Sequence, residues 1–208
     1  VSLAKKIDAE IISADSMQIY EDLNVGSAKV TKEEMQGIQH HLIDIRKSNQ
    51  NYSVFEFVED CNKKITEIQN KGKNIIIVGG TGLYIKALTE KYDMASVNKD
   101  NSTRNELENL SNEELCHKLE SFGVTLKNDD KNNRHRLIRY CEINMLGGSV
   151  SKGEFDDRFV IFGLNSDREV LYQRINKRVN IMAKNGLPED ALTTSSIANS
   201  SSPPLFAS

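Results

Sequence analysis

The stretch "NIIIVGGTGLY", Asn74 to Tyr84, decides how the chain is read. Asn74 to Val78 is apolar and β-branched without polar alternation, which predicts a strand buried on both faces of a parallel sheet. Gly79 to Gly82 then turns the chain into a helix carrying Leu83, Ile85 and Leu88. A strand running through a glycine turn into a helix is where open α/β sheets bind phosphates and carry out chemistry. The stretch is neither G-x-x-x-x-G-K-[ST] nor G-x-G-x-x-G. Its distinctive residue is Thr81, a hydroxyl set among three glycines. The structural alternative is a tight turn that uses glycine's freedom at positive φ.

Upstream, "AEIISADSMQIY" repeats the arrangement with a different polar group. Glu10 to Ala14 suits a short buried strand, and Asp15 and Ser16 follow its carboxyl end. A carboxylate there can act as a general base or metal ligand, or simply cap a turn. Asp15 and Thr81 each lie beyond the end of a strand, so both can face one crevice. Val1 to Lys6 reads as the end of a helix. Thr31 with Glu34, and Ser53 with Glu56, have capping-box spacing. Ser53 to Gln69 is then a helix, with Tyr52 and Phe57 as a hydrophobic staple, apolar residues at Cys61, Ile65 and Ile68, and Gly72 as its stop. Leu42 to Ile45 is a brief strand-like or loop segment.

Downstream the composition changes. Residues 96–154 are polar and helical, with Ser111 and Glu114 as another capping box and "RHRLIRYCEI" as an amphipathic helix. Phe159 to Phe162 predicts a third strand, and Ser166 with Glu169 predicts the cap of a long helix. Residues 188–208, Ser- and Pro-containing without periodicity, read as a disordered tail. Alternating β and α units predict an α/β fold, an open parallel sheet flanked by helices. The expected organisation is a core of residues 1–95 and 155–187, a helical insertion at 96–154, and the tail.

The bulk composition narrows the function classes. At 208 residues with a net charge of −3, the chain holds one sizeable core and is no general polyanion binder. No run is long enough to cross a bilayer. Three widely spaced cysteines argue for reduced thiols rather than a disulfide framework or zinc site. A cytoplasmic, monomeric protein with no membrane segment is expected. His40 and His41, adjacent on a strand, point to opposite sides and do not make a metal pair. Arg136 and Arg139 share a helix face with His135 beside them, either to grip phosphates and bases or as a solvated basic face. Arg174 and Arg178, at i and i+4, either clamp an anion or pair with Asp167 and Glu169.

Taken together, "ISADSMQIYEDLNVGSAKV" (Ile12 to Val30), "HHLIDI" (His40 to Ile45), "YSVFEF" (Tyr52 to Phe57), "IVGGTGLYIKAL" (Ile77 to Leu88) and "NRHRLIRYCEI" (Asn133 to Ile143) resemble the bacterial tRNA dimethylallyltransferases. The resemblance covers about Leu3 to Leu187. It implies transfer of a dimethylallyl group from dimethylallyl diphosphate to N6 of adenosine 37, with Mg2+ as cofactor and the tRNA anticodon stem-loop as partner. It implies a P-loop nucleotide-kinase-like core whose helical insertion grips the RNA. By the same resemblance Asp15 is the general base and Thr81 contacts the oxygen bridging diphosphate and allyl carbon. Asp15, Ser16, Met17 and Gln18, Arg104, and His135, Arg136, Leu137, Ile138 and Arg139 match tRNA-contacting positions. The family more often has Gln where His135 stands. Arg174 and Arg178 fall at diphosphate positions, and no residue is assigned as a metal ligand.

The chain departs from the family in two places. No G-P-T-x-x-G-K-T loop occurs in it, so the first strand and P-loop are missing, and the family continues well past "NGL". A fragment of a longer protein is therefore expected, weakly active or inert alone. Two other readings remain: a non-catalytic tRNA-binding remnant, and a P-loop kinase of a small metabolite.

Overall fold

A computed structural model describes residues 1–90, 101–145 and 153–187. The described residues divide into two compact units, one of residues 1–88 and 157–187 and one of residues 89–90, 101–145 and 153–156. The tail expected at 188–208 lies outside the described residues.

The first unit is built on three parallel strands. Helix α1 (Ser2–Lys6) leads into β1 (Ala9–Ser13), and α2 (Lys32–Met35) precedes the two-residue β2 (His40–His41). Helix α3 (Val54–Asn70), β3 (Asn74–Val78) and α4 (Gly82–Thr89) complete the packed part. The strand order is β2-β1-β3, with Ile11 opposite His40 on one side and Ile76 on the other. Because side chains alternate along a strand, β1 divides its apolar residues between two layers. Ile12 joins Phe57, Cys61, Ile65 and Ile68 of α3, whereas Ala9 and Ile11 pack with Ala4 of α1. Helices thus cover both faces, as the βαβ reading expects.

Helix α3 starts where its signals lie. Ser53 accepts from the Glu56 N–H at 3.3 Å, and the Glu56 carboxylate accepts from the Ser53 N–H at 2.8 Å. Phe57, fully buried, stacks on Tyr84 of α4 with centroids 4.2 Å apart and rings 13° from parallel. Gly72 takes φ +70°, the left-handed turn that releases the chain into β3. On β1, Glu10 is 5% exposed and meets His41 at 2.7 Å and Lys71 at 3.0 Å. Burial pushes its carboxyl upward, but hydrogen bonds and charge from His41 and Lys71 outweigh that and hold it below the ordinary 4.5. His40 turns away to the Ile38 carbonyl, so the two histidines do diverge.

Three expectations are corrected. Residues of β3 face apolar layers on both sides, yet its ends are exposed and its middle only half-buried. The reason is position: β3 pairs with β1 alone among the described strands, leaving its outer edge uncovered by them. Phe159 to Phe162 forms no strand, with Val160 77% and Phe162 85% exposed. β-propensity needs a hydrogen-bonded neighbour to become a strand, and this segment pairs with none of those described. Helix α5 (Asn101–Glu108), α6 (Asn112–Ser121), α7 (Asn128–Lys131) and α8 (Arg134–Met145) make up the second unit, and α9 (Arg168–Lys184) belongs to the first. The cap of α9 is Asp167 rather than Ser166, without a side-chain capping bond.

The second unit has its own core of Leu107, Leu115, Leu119, Leu137, Ile138 and Cys141. Ser111 and Glu114 form the expected box at the start of α6. All three cysteines are free thiols. Burial pushes Cys61 up to about 12 and Cys141 up to about 11, so both behave as apolar packing groups.

Candidate functional site

The carboxyl ends of β1 and β3 are tied together by their backbones. The Ala14 N–H donates to the Val78 carbonyl at 2.7 Å, and the Thr81 N–H donates to the Ala14 carbonyl at 3.3 Å. Gly79 makes this approach possible. A Cβ at that position would fall inside the Ala14 peptide, only 2.8 Å from its Cα. Gly80 and Gly82 meet no such obstacle.

Three sequence-predicted residues converge here. Asp15 uses Oδ1 to accept from the N–H groups of Met17 at 2.9 Å and Gln18 at 3.3 Å, closing an Asx turn. Its Oδ2 has no hydrogen-bond partner among the described residues. Thr81 Oγ1 accepts from the Ser16 N–H at 3.0 Å and donates to Ser16 Oγ at 3.2 Å. The turn-capping and functional readings of Asp15 are therefore not exclusive: one oxygen fixes the loop and the other is left over. Tyr84, one turn beyond Thr81, has its phenol pushed up to about 12 by burial first and then by charges including Asp15. Met17 leans on the core and does not present a polar group.

The four arginines of the second unit are all committed to partners within it. Arg104 meets Glu142 at 3.2 Å and Glu108 at 3.1 Å, and Arg139 meets the other oxygen of Glu142 at 3.1 Å. Arg136 pairs with Asp130, and Arg134 donates to Asn112 and to the Glu108 carbonyl. Glu142 is 2% exposed and serves two guanidinium groups at once. Leu137 and Ile138 fill the core, so polar contacts from this stretch fall to His135, Arg136 and Arg139. On α9, Arg174 and Arg178 are exposed and pair with neither Asp167 nor Glu169 among the described residues.

Two features escaped the sequence reading. Glu142 and Glu108 lie three and four residues from Arg139 and Arg104, spacings that place ion pairs on one helix face and could have revealed them. The close approach at Gly79 leaves no trace in spacing, because it depends on the distance between two loops far apart in sequence. Among the described residues no group of three or more His, Cys, Asp or Glu side chains could hold a metal ion. No helix among them is long and apolar enough to cross a membrane.

Comparisons with known proteins agree on one family. The family model described as IPP transferase matches residues 18–205. The tRNA dimethylallyltransferases of Streptococcus pyogenes and Streptococcus agalactiae are 44% identical over 194 residues, 92% of this chain and 64% of theirs. The chain thus spans somewhat less than two thirds of the length of these curated relatives. The crystal structure of the full-length tRNA isopentenylpyrophosphate transferase from Bacillus halodurans matches at TM-score 0.64 and 36% identity, covering 94% of this chain and 64% of that one. A eukaryotic dimethylallyltransferase described as acting on tRNA shares the fold at TM-score 0.74 and 24% identity, over 94% of this chain and 52% of its own.

Proposed function

Because the chain belongs to the IPP transferase family, we propose that it serves transfer of a dimethylallyl group from dimethylallyl diphosphate to N6 of adenosine 37 in tRNA. The observation that carries the reading is the pairing of a carboxylate with a spare oxygen and a threonine hydroxyl at one sheet edge. In this reading the N6 lone pair attacks the allylic C1, and the C–O bond breaks with its electron pair leaving on the bridging oxygen of diphosphate. The amine proton passes to Asp15 Oδ2. Thr81 donates a hydrogen bond to the departing oxygen as its charge develops. Holding nucleophile and carbon in line supplies the remaining advantage.

The second unit is assigned the anticodon stem-loop, through Arg104, His135, Arg136 and Arg139, with Met17 and Gln18 on the crevice side. Reaching N6 requires extruding the base from its stack, which a gripped RNA loop makes affordable. Arg174 and Arg178, uncommitted on α9, are assigned to the diphosphate. The described residues do not fit a protein-held Mg2+, since Asp15 is the sole carboxylate placed at the crevice. The ion is assigned to the diphosphate, whose charge it would neutralise. A tRNA substrate and buried protonated thiols support a cytoplasmic setting.

The test incubates the purified chain with dimethylallyl diphosphate, Mg2+ and unmodified tRNA, and reads modified adenosine by nucleoside mass spectrometry. Asp15→Asn should lower turnover about 10²- to 10⁴-fold. Absence of transfer by the wild-type chain, or transfer untouched by Asp15→Asn, overturns the reading. Retained, salt-dependent tRNA binding without transfer would identify a binding remnant instead.

A further inference from the structure

We propose that Ser16 is the positioning residue that turns the Thr81 hydroxyl into an outward donor, a role distinct from contact with RNA. The inference rests on the transfer reading above. A threonine hydroxyl has one proton and two lone pairs. In the structure one lone pair takes the Ser16 N–H at 3.0 Å, and the Thr81 proton is spent on Ser16 Oγ at 3.2 Å. Either hydroxyl can donate across that contact, and while Thr81 is the donor it has no proton to offer a leaving group.

The arrangement can be reversed at little cost. When an anionic oxygen arrives, the Thr81 O–H swings toward it, and the Ser16 O–H rotates to donate into the lone pair beside it. Both lone pairs of Thr81 Oγ1 are then filled by Ser16, one by N–H and one by O–H. The Thr81 proton is left a single direction, outward. Two donors into one hydroxyl also polarise it, making it a stronger donor in turn. Neither heavy atom has to move, so the pair is organised before the substrate binds.

The surroundings fix this geometry from both sides. Asp15 Oδ1 holds the Ser16 loop by accepting from Met17 and Gln18. Gly79 lets the Thr81 turn sit against Ala14, and the Thr81 N–H bonds the Ala14 carbonyl. Among the described residues, Ser16 is the only side chain hydrogen-bonded to the Thr81 hydroxyl.

Two measurements on the full chain test the proposal. The first is amide hydrogen exchange at Ser16, which needs no substrate. Thr81→Val should speed it at least about tenfold and Thr81→Ser should preserve it; unchanged exchange in Thr81→Val overturns the pairing. The second is steady-state transfer from dimethylallyl diphosphate to tRNA. Ser16→Ala, which keeps the N–H but loses the O–H, should lower kcat about tenfold to a hundredfold with KM for tRNA unchanged. Ser16→Thr should restore it. In a Thr81→Val background Ser16→Ala should have no further effect, since the hydroxyl it serves is gone. A raised KM for tRNA at unchanged kcat, or additive losses in the double variant, overturns the proposal in favour of an RNA contact. Absence of transfer by the wild-type chain counts against the transfer reading, and the exchange measurement still decides the pairing.

Discussion

Strands β1 and β3 are alike in length and β3 is the more apolar, yet it is β1 that is the better buried. Every residue of β1 is buried, and Ile12 is fully so, whereas Val78 at the end of β3 is 54% exposed. The difference is one of place. β1 has a hydrogen-bonded neighbour on each side, and β3 has one among the described strands. Composition says that a segment wants to be a strand; the number of its neighbours decides how much water it loses. The candidate crevice sits where the carboxyl ends of these two unequal strands meet.

That inequality can be broken first at its hinge point. Gly79→Ala forces a Cβ into the Ala14 peptide and should cost about 5 kcal/mol or more, enough to leave the unit of residues 1–88 unfolded by circular dichroism. Next comes the core of β1: Ile12→Ala should cost about 2–5 kcal/mol in a urea titration. If Val78→Ala costs as much as Ile12→Ala, the inequality is wrong.

Glu10 gives a middle-sized and pH-dependent effect. Its folded pKa is depressed, so it stabilises the fold above its unfolded value near 4.5 and that stability is lost as pH falls through the folded value. Glu10→Gln should therefore be less stable than wild type by about 1–3 kcal/mol at neutral pH. The gap should close in acid, as thermal melts across that range would register. The smallest effects belong to the exposed side of the comparison. Val78→Ala and Gly80→Ala should each change stability by under about 1 kcal/mol, measured alongside the larger variants.

Much of the packed unit was legible from residue order alone. The box at Ser53 and Glu56, the staple at Tyr52 and Phe57, and the stop at Gly72 are local signals, and local physics formed the helix they mark. The meeting of Asp15 and Thr81 followed from a topological rule about where strands end in open sheets. What failed was non-local. Phe159 to Phe162 has strand composition, but no sheet edge among the described residues accepts it. The basic face of α8 read either as a grip on phosphate or as a solvated face, and the ion pair that joins Arg104 of α5 to Glu142 of α8 depends on tertiary packing. The mutual hydrogen bonds of Ser16 and Thr81 lie 65 positions apart in sequence, beyond any spacing rule.

The stack of Phe57 on Tyr84 has a practical meaning for anyone handling this protein. The chain contains no tryptophan, so its near-ultraviolet spectrum comes from tyrosine and phenylalanine alone. Tyr84 is clamped in a fixed, asymmetric ring pair one helical turn from Thr81. A dichroic band from that ring is a built-in optical label for the seating of α4. Phe57→Leu, which keeps the apolar volume but removes the partner ring, identifies which part of the spectrum belongs to it.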